Sequence, residues 1–176
     1  MTAKALTDWV IRPARAEEID GLTALEASGG ALFRELGMAF VADFPPPDRT
    51  VFADAHDVGR LLVAARADGV LAGFVLIEIV DSCWHIEQLT VAPDFGRRGI
   101  GATLMLAAEE LGRAKGFARA TLTTYVDVPF NGPFYRGLGW QPIPDDELGD
   151  GLRLIRESEY AAGLDRWPRQ AMQKDL

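Results

Sequence analysis

A single cysteine, Cys83, in a chain of 176 residues excludes an internal disulfide and suits a reducing compartment. No apolar run reaches the about 18 residues that a membrane span requires. The N-terminal MTAKALTDWVIRPAR lacks the apolar core of a secretory signal, so a cytoplasmic location is expected. Basic residues fall short of acidic ones, 18 against 26, for a net charge of −8. Binding along a phosphate backbone needs a basic face, so nucleic acid is not an expected partner, and neither is a membrane. A negative chain is better matched to a cationic small molecule. Two histidines and one cysteine stand in no metal-ligand spacing, so no metal is expected. Internal repeats, low-complexity segments and linkers are also missing. Hydrophobic residues make up 48% of the chain, enough to bury one core. The expected organisation is a single domain over residues 1–176, with 158–176 as a C-terminal arm or helix.

What is present reads as alternating element types. Trp9–Arg12 has the character of a short strand. A helix follows from about Ala16, with Glu17, Glu18 and Asp20 in its first turn, where they suit the helix dipole. Ala31–Ala42 continues as a second helical stretch, and Pro45, Pro46 and Pro47 end it and open a loop reaching His56. Leu61–Arg66 and Val70–Val80 are aliphatic and β-branched, joined by Asp68-Gly69, a strong hairpin dipeptide. Cys83–Val91 adds a third strand across Asp81–Ser82. Helical spacing returns with Ile100, Leu104, Ala107, Ala108 and Leu111 and ends near Gly116. A strand at Arg119–Tyr125, a short helix in NGPFYRGLGW, and closing strands at Trp140–Pro142 and Leu152–Glu157 complete the chain. An antiparallel meander followed by strand–helix–strand predicts an α/β fold of the α+β type. Its core is a mixed, mainly antiparallel twisted sheet with helices on both faces.

The stretch PDFGRRGIGATL, Pro93–Leu104, sets three glycines and two arginines at a strand-to-helix turn. Glycine inside a helix costs about 1 kcal/mol relative to alanine, so bare backbone must serve something here. The first N–H groups of a helix lack internal partners, and the dipole is positive at that end. Such an end binds anions. Gly96, Gly99 and Gly101 remove side chains that would hold an anion's oxygens away. Arg97 and Arg98 add charge suited to phosphate. A pyrophosphate is the natural guest. The spacing is not the G-x-G-x-x-G of a dinucleotide fold, and Gly99-Ile100-Gly101 is not the Gly-Lys-Ser/Thr of a P-loop.

LTVAPDFGRRGIGATLMLAAEELGRAKG, then a strand, then NGPFYRGLGW, resembles the GNAT acetyltransferase superfamily. That family's Q/R-x-x-G-x-G/A signature falls on Gly96–Gly101, with Gly96 at the place of Gln or Arg. FYRGLGW matches its xYxxLGF segment except at Trp140. The resemblance implies an acetyl-CoA-dependent N-acetyltransferase whose cofactor enters between splayed strands Cys83–Val91 and Arg119–Tyr125. Leu89, Thr90 and Val91 would pair with the pantetheine arm. Amides at Arg98, Gly99, Ile100, Gly101 and Ala102, with the charge of Arg97, would hold the pyrophosphate, and Asn131 and Phe134 would lie beside the thiol end. An amine attacks the thioester directly, which calls for a base and for a proton donor to the leaving thiolate. Tyr135 takes the donor position. Strand alternation sets His85, Glu87, Leu89 and Val91 on one face, with Glu87 the first choice of base and His85 the second.

In this family the acceptor is chosen by variable regions, here about Glu26–His56 and PIPDDELGDG. The acids Asp145, Asp146, Glu147 and Asp150 suit a cationic amine, or else form a solvated loop. Phe33, Phe40, Phe44 and Trp84 are candidates for an apolar acceptor pocket. The expected acceptor is a small primary amine. A protein or peptide N-acetyltransferase and a non-catalytic CoA-binding sensor are the alternatives. A homodimer through the tail from Ser158 is also an expectation.

Overall fold

Seven strands form one sheet: β1 (Val10–Pro13), β2 (Leu61–Ala65), β3 (Leu71–Val80), β4 (Cys83–Val91), β5 (Arg119–Tyr125), β6 (Gln141–Ile143) and β7 (Arg169–Asp175). The computed structural model describes residues 8–176; residues 1–7, the start of the segment read for an export signal, lie outside them. Six helices accompany the sheet: α1 (Ile19–Glu35), α2 (Ala39–Ala42), α3 (Arg49–Asp57), α4 (Ile100–Ala114), α5 (Gly132–Gly137) and α6 (Asp150–Ala161). The strand order is β1-β2-β3-β4-β5-β7-β6. β4 and β5 pair in parallel, and β1–β2, β2–β3, β5–β7 and β6–β7 pair antiparallel. This is the mixed, mainly antiparallel sheet the sequence predicts.

Contacts divide the chain into two compact units. One holds the residues up to Ile77 with Gln88–Ala108, and the other holds Glu78–Glu87 with Glu109–Leu176.

In the first unit α1 and α3 bury Leu22, Phe52 and Ala55 against Leu61, Val63, Phe74 and Leu76. Phe52 and Phe74 meet edge to face with centroids 5.3 Å apart, a favoured aromatic geometry. The loop expected to reach His56 is in fact helix α3. Its prolines stop at Pro47, and the Asp48 side chain then caps the Thr50 N–H at 2.9 Å. Gly29-Gly30 does not break α1. Gly30 lets the helix approach α2: a Cβ there would lie 2.5 Å from the Ala42 carbonyl oxygen.

In the second unit β7 pairs with β5 along its whole length, from Arg119↔Asp175 to Tyr125↔Arg169, and with β6 on its other side. The tail from Ser158, expected as an arm or a helix, completes α6 and then forms this strand. The strand expected at Leu152–Glu157 is part of α6. Two residues apart, Leu152 is buried and Leu154 is 63% exposed, so they do not share a face as they would in a strand. Leu152 and Ile155, three apart, are the pair that packs with Ile143, Leu148 and Ala171.

The β3–β4 turn anchors α6. Asp81 and Ser82 both lie in the left-handed region, at φ 51° and 60°. The Asp81 carboxylate accepts the N–H of Gly151 at 2.8 Å and of Leu152 at 2.9 Å, two donors of the first helical turn. Gly149 and Gly151 make room for it, since a Cβ at either would come within 2.8 Å of its oxygens. Asp81→Gly keeps the turn and deletes the cap, so it should cost about 1 kcal/mol. Thermal unfolding should drop by about 2–4 °C. Asp81→Asn keeps one acceptor oxygen of the two and should lose less than Asp81→Gly, and an unchanged midpoint in Asp81→Gly would contradict the capping role.

Candidate functional site

In the first unit, β4 passes into α4 through a 3-10 turn at Pro93–Phe95 and the exposed stretch Arg97–Gly99. Gly99 has φ +81°, a conformation that favours glycine, and Arg97 adopts φ +58° without being one. A non-glycine held there costs on the order of 1–3 kcal/mol, and such strain gathers at binding sites. The Gly99 carbonyl receives the Thr103 N–H at 3.0 Å and the Thr103 hydroxyl at 3.0 Å, which fixes the start of α4. The N–H groups of Ile100, Gly101 and Ala102 thus belong to the first turn and have no intrahelical acceptor. Ile100, 1% exposed, pins the helix start into the core. The Arg98 guanidinium donates to the Asp94 carbonyl at 3.1 Å and lies 5.7 Å from the Phe95 ring centroid, while the Arg97 residue is exposed.

The end of β4 in this unit, Leu89–Val91, carries a carboxylate against it. Glu26 of α1 accepts from Gln88 Nε2 at 2.8 Å and from the Thr90 hydroxyl. Burial raises the Glu26 pKa, and the bonds from Thr90 and Gln88 offset only part of that. Gly73 of β3 lies so close that a Cβ would stand 2.4 Å from the Thr90 carbonyl oxygen.

In the second unit, β4 pairs with β5 as Trp84↔Ala120, His85↔Thr121 and Ile86↔Leu122. His85 is 1% exposed. Its Nδ1 lies 2.9 Å from the Thr121 hydroxyl and its Nε2 lies 3.5 Å from the carboxylate of Glu87, whose side chain is 41% exposed. The two base candidates are therefore neighbours, one inside and one facing solvent. Tyr135 is 8% exposed, and burial pushes its phenol far above the usual tyrosine value, with the charge of Arg169 pulling a little the other way. It is protonated throughout the neutral range. Its ring meets Phe134 at 5.1 Å and Trp140 at 6.2 Å between centroids. Asn131 opens α5, its carbonyl receiving the Tyr135 N–H at 2.9 Å. Gly132 is required beside it, because a Cβ would fall 2.3 Å from the Val126 carbonyl oxygen.

Trp84 is 0% exposed and packs on Phe117 with centroids 5.0 Å apart, which makes it core rather than an acceptor surface. Phe40 and Phe44 touch edge to face. Asp145, Asp146, Glu147 and Asp150 are exposed. His56 ends α3 and bonds Asp57. Among the described residues no helix is long and apolar enough to cross a membrane, and no group of three or more His, Cys, Asp or Glu could hold a metal.

Polar groups that escaped the sequence reading include the buried Glu109 and Thr121 and the part-buried Glu26 and Glu159. Burial alone would raise Glu159, but the charge of Arg169 and bonds from Arg169, Thr123 and Arg156 outweigh it and lower the pKa. Arg169 also covers the Tyr125 ring at 4.4 Å. The pairing of β5 with β7 brings Thr123 and Arg169 together, and only the polar residues on otherwise apolar strands hinted at it.

A model of the acetyltransferase (GNAT) family matches residues 30–140. A spermidine N(1)-acetyltransferase of Thermoplasma acidophilum is 29% identical over 100 residues, 57% of this chain and 60% of that protein. A mycothiol acetyltransferase of Clavibacter michiganensis is 32% identical over 112 residues, 64% of this chain and 36% of that one. The chain thus spans less than two thirds of the length of either relative. The PaiA N-acetyltransferase of T. acidophilum, solved in complex with coenzyme A, superposes with a TM-score of 0.67 at 16% identity, over 97% of this chain and 100% of that one.

The two shifted carboxylates predict opposite pH dependences. Folded Glu26 holds its proton above the ordinary value of 4.5, so its contribution to stability is complete below that pH and is lost as pH rises. Folded Glu159 is ionised below 4.5, so its contribution is present above that pH and is lost as pH falls. In urea unfolding, the stability of wild type minus Glu26→Gln should fall with rising pH, and that of wild type minus Glu159→Gln should fall with acidification. Flat differences would contradict both assignments.

Proposed function

This chain belongs to the acetyltransferase (GNAT) family, and we propose that it transfers the acetyl group of acetyl-CoA to a primary amine of a small cationic molecule in the cytoplasm. The observation that carries the reading is the start of α4. There Arg97 and Gly99 are both left-handed, the stretch Arg97–Gly99 is exposed, and a helix N-terminus follows at once. Those features fit the pyrophosphate of a CoA: bare amides, a positive dipole end and two arginines. Amides from Arg98 to Ala102 would hold it, with Arg97 adding charge. Leu89–Val91 lie beyond the three residues through which β4 pairs with β5, and would pair with the pantetheine as an added strand. Asn131 and Phe134 would sit beside its thiol end.

Bound acetyl-CoA supplies an acetyl thioester, and the residues of this chain move the protons. An alkylammonium is not a nucleophile until it loses one. Glu87 Oε2, half exposed and 3.5 Å from His85 Nε2, is the proposed base, directly or through water. His85, held by Thr121, stands behind it to share the proton. Tyr135 Oη–H is the proposed donor to the departing sulfur. Its buried phenol keeps its proton at the pH where the amine must lose one. A polyamine-like acceptor is supported by the net charge of −8 and by the likeness to an enzyme named for spermidine.

Thiol release with acetyl-CoA and spermidine tests the reading. Tyr135→Phe should lower kcat by about 10²–10⁴-fold without loss of fold, and Glu87→Gln should do so by a comparable factor. The kcat profile should show no loss from phenol ionisation up to the ordinary tyrosine value of 10.0. Full activity in Tyr135→Phe would overturn the donor role.

A further inference from the structure

Glu109 is 0% exposed, an expensive place for a carboxylate unless every oxygen is matched. One oxygen accepts the Trp140 indole N–H at 3.0 Å, and the other accepts Lys174 Nζ at 2.8 Å. Arg113 stands 3.7 Å away, one turn along α4. Lys174 of β7 also donates to the Leu138 carbonyl at 2.8 Å. The same short segment closes on Tyr135, because the N–H groups of Leu138 and Trp140 both reach the Tyr135 carbonyl, at 2.9 and 3.1 Å. The Trp140 ring, itself 0% exposed, then lies against the Tyr135 ring.

Helix α5 has six residues, too few to hold itself in place. What grips its end decides where Tyr135 stands. Phenylalanine at position 140 would keep an aromatic ring beside Tyr135, but it is smaller than the indole and offers no N–H to Glu109. Three elements, α4, β7 and the turn after α5, meet on one carboxylate.

Resting on the donor role proposed for Tyr135, we infer that Glu109 is a positioning residue for acetyl transfer, fixing Tyr135 through Trp140 and Lys174. It touches neither substrate nor cofactor in this role. Removing the indole N–H frees the end of α5 and lets the phenol drift from the departing sulfur, without altering the turn that binds the pyrophosphate.

The test compares wild type, Trp140→Phe, Tyr135→Phe and the double variant, with acetyl-CoA and spermidine. Trp140→Phe should lower kcat about tenfold with the KM for acetyl-CoA and the CoA Kd unchanged, and should cause no further loss once Tyr135 is phenylalanine. Glu109→Gln should reproduce that pattern, and it replaces Trp140→Phe if that variant fails to fold. Equal losses in both backgrounds, or none, would overturn the inference. A second readout needs no activity. Alkaline absorbance titration of each protein against its Tyr135→Phe counterpart isolates this phenol. With Trp140→Phe its ionisation should shift down toward the ordinary tyrosine value, and an unmoved titration would also overturn the inference. If wild type acetylates no amine, the functional reading fails, while the titration still decides whether Glu109 fixes Tyr135.

Discussion

The passage from β4 to α4 constrains this protein more than any other local feature. A strand that ends at Val91 must deliver a helix whose first buried residue is Ile100. Between them the chain tightens through a 3-10 turn, takes two left-handed residues, and presents N–H groups that the helix cannot satisfy by itself. Gly99 makes its share of this geometry cheap. Arg97 does not, and its strain is offset by the fixed ends: Ile100 in the core on one side and the Pro93–Phe95 turn on the other.

In each unit the fold buries charge, and each case is settled by its surroundings. Glu109 is matched by a lysine and an indole. Glu159 sits between Arg156 and Arg169, which keep it ionised despite burial. Among the described residues Glu26 has hydrogen-bond donors but no cation as partner, and burial raises its pKa. His85 and Glu87 divide a single position between an inner and an outer group. Matched pairs give rigidity.

The glycine turn, the meander and the FYRGLGW segment were legible in the sequence because each is contiguous and has its own local chemistry. Alternation placed His85 and Glu87 together, and their 3.5 Å approach agrees. What could not be read was set across the sheet. The sequence lists Glu109 and Glu110 side by side in the same helix, and only the position of Trp140 and Lys174 makes the first one buried. Residues 152–157 belong to helix α6 rather than to a strand, and six residues are too short a span for the helical period to declare itself. The last strand, β7, was hidden for a related reason: RQAMQKD is mostly polar, and it becomes a strand because β5 and β6 flank it.

We propose that the start of α4 binds the pyrophosphate of a CoA. Isothermal titration of CoA into wild type and into Gly99→Glu tests it most directly, with unfolding of both proteins followed alongside. Gly99 stands at φ +81° on an exposed turn, so a glutamate there adds strain and a like charge where the anion must sit. The account predicts saturable binding by wild type, none by the variant, and a variant that still unfolds cooperatively. Equal binding by the two proteins, or no binding by wild type, would contradict it.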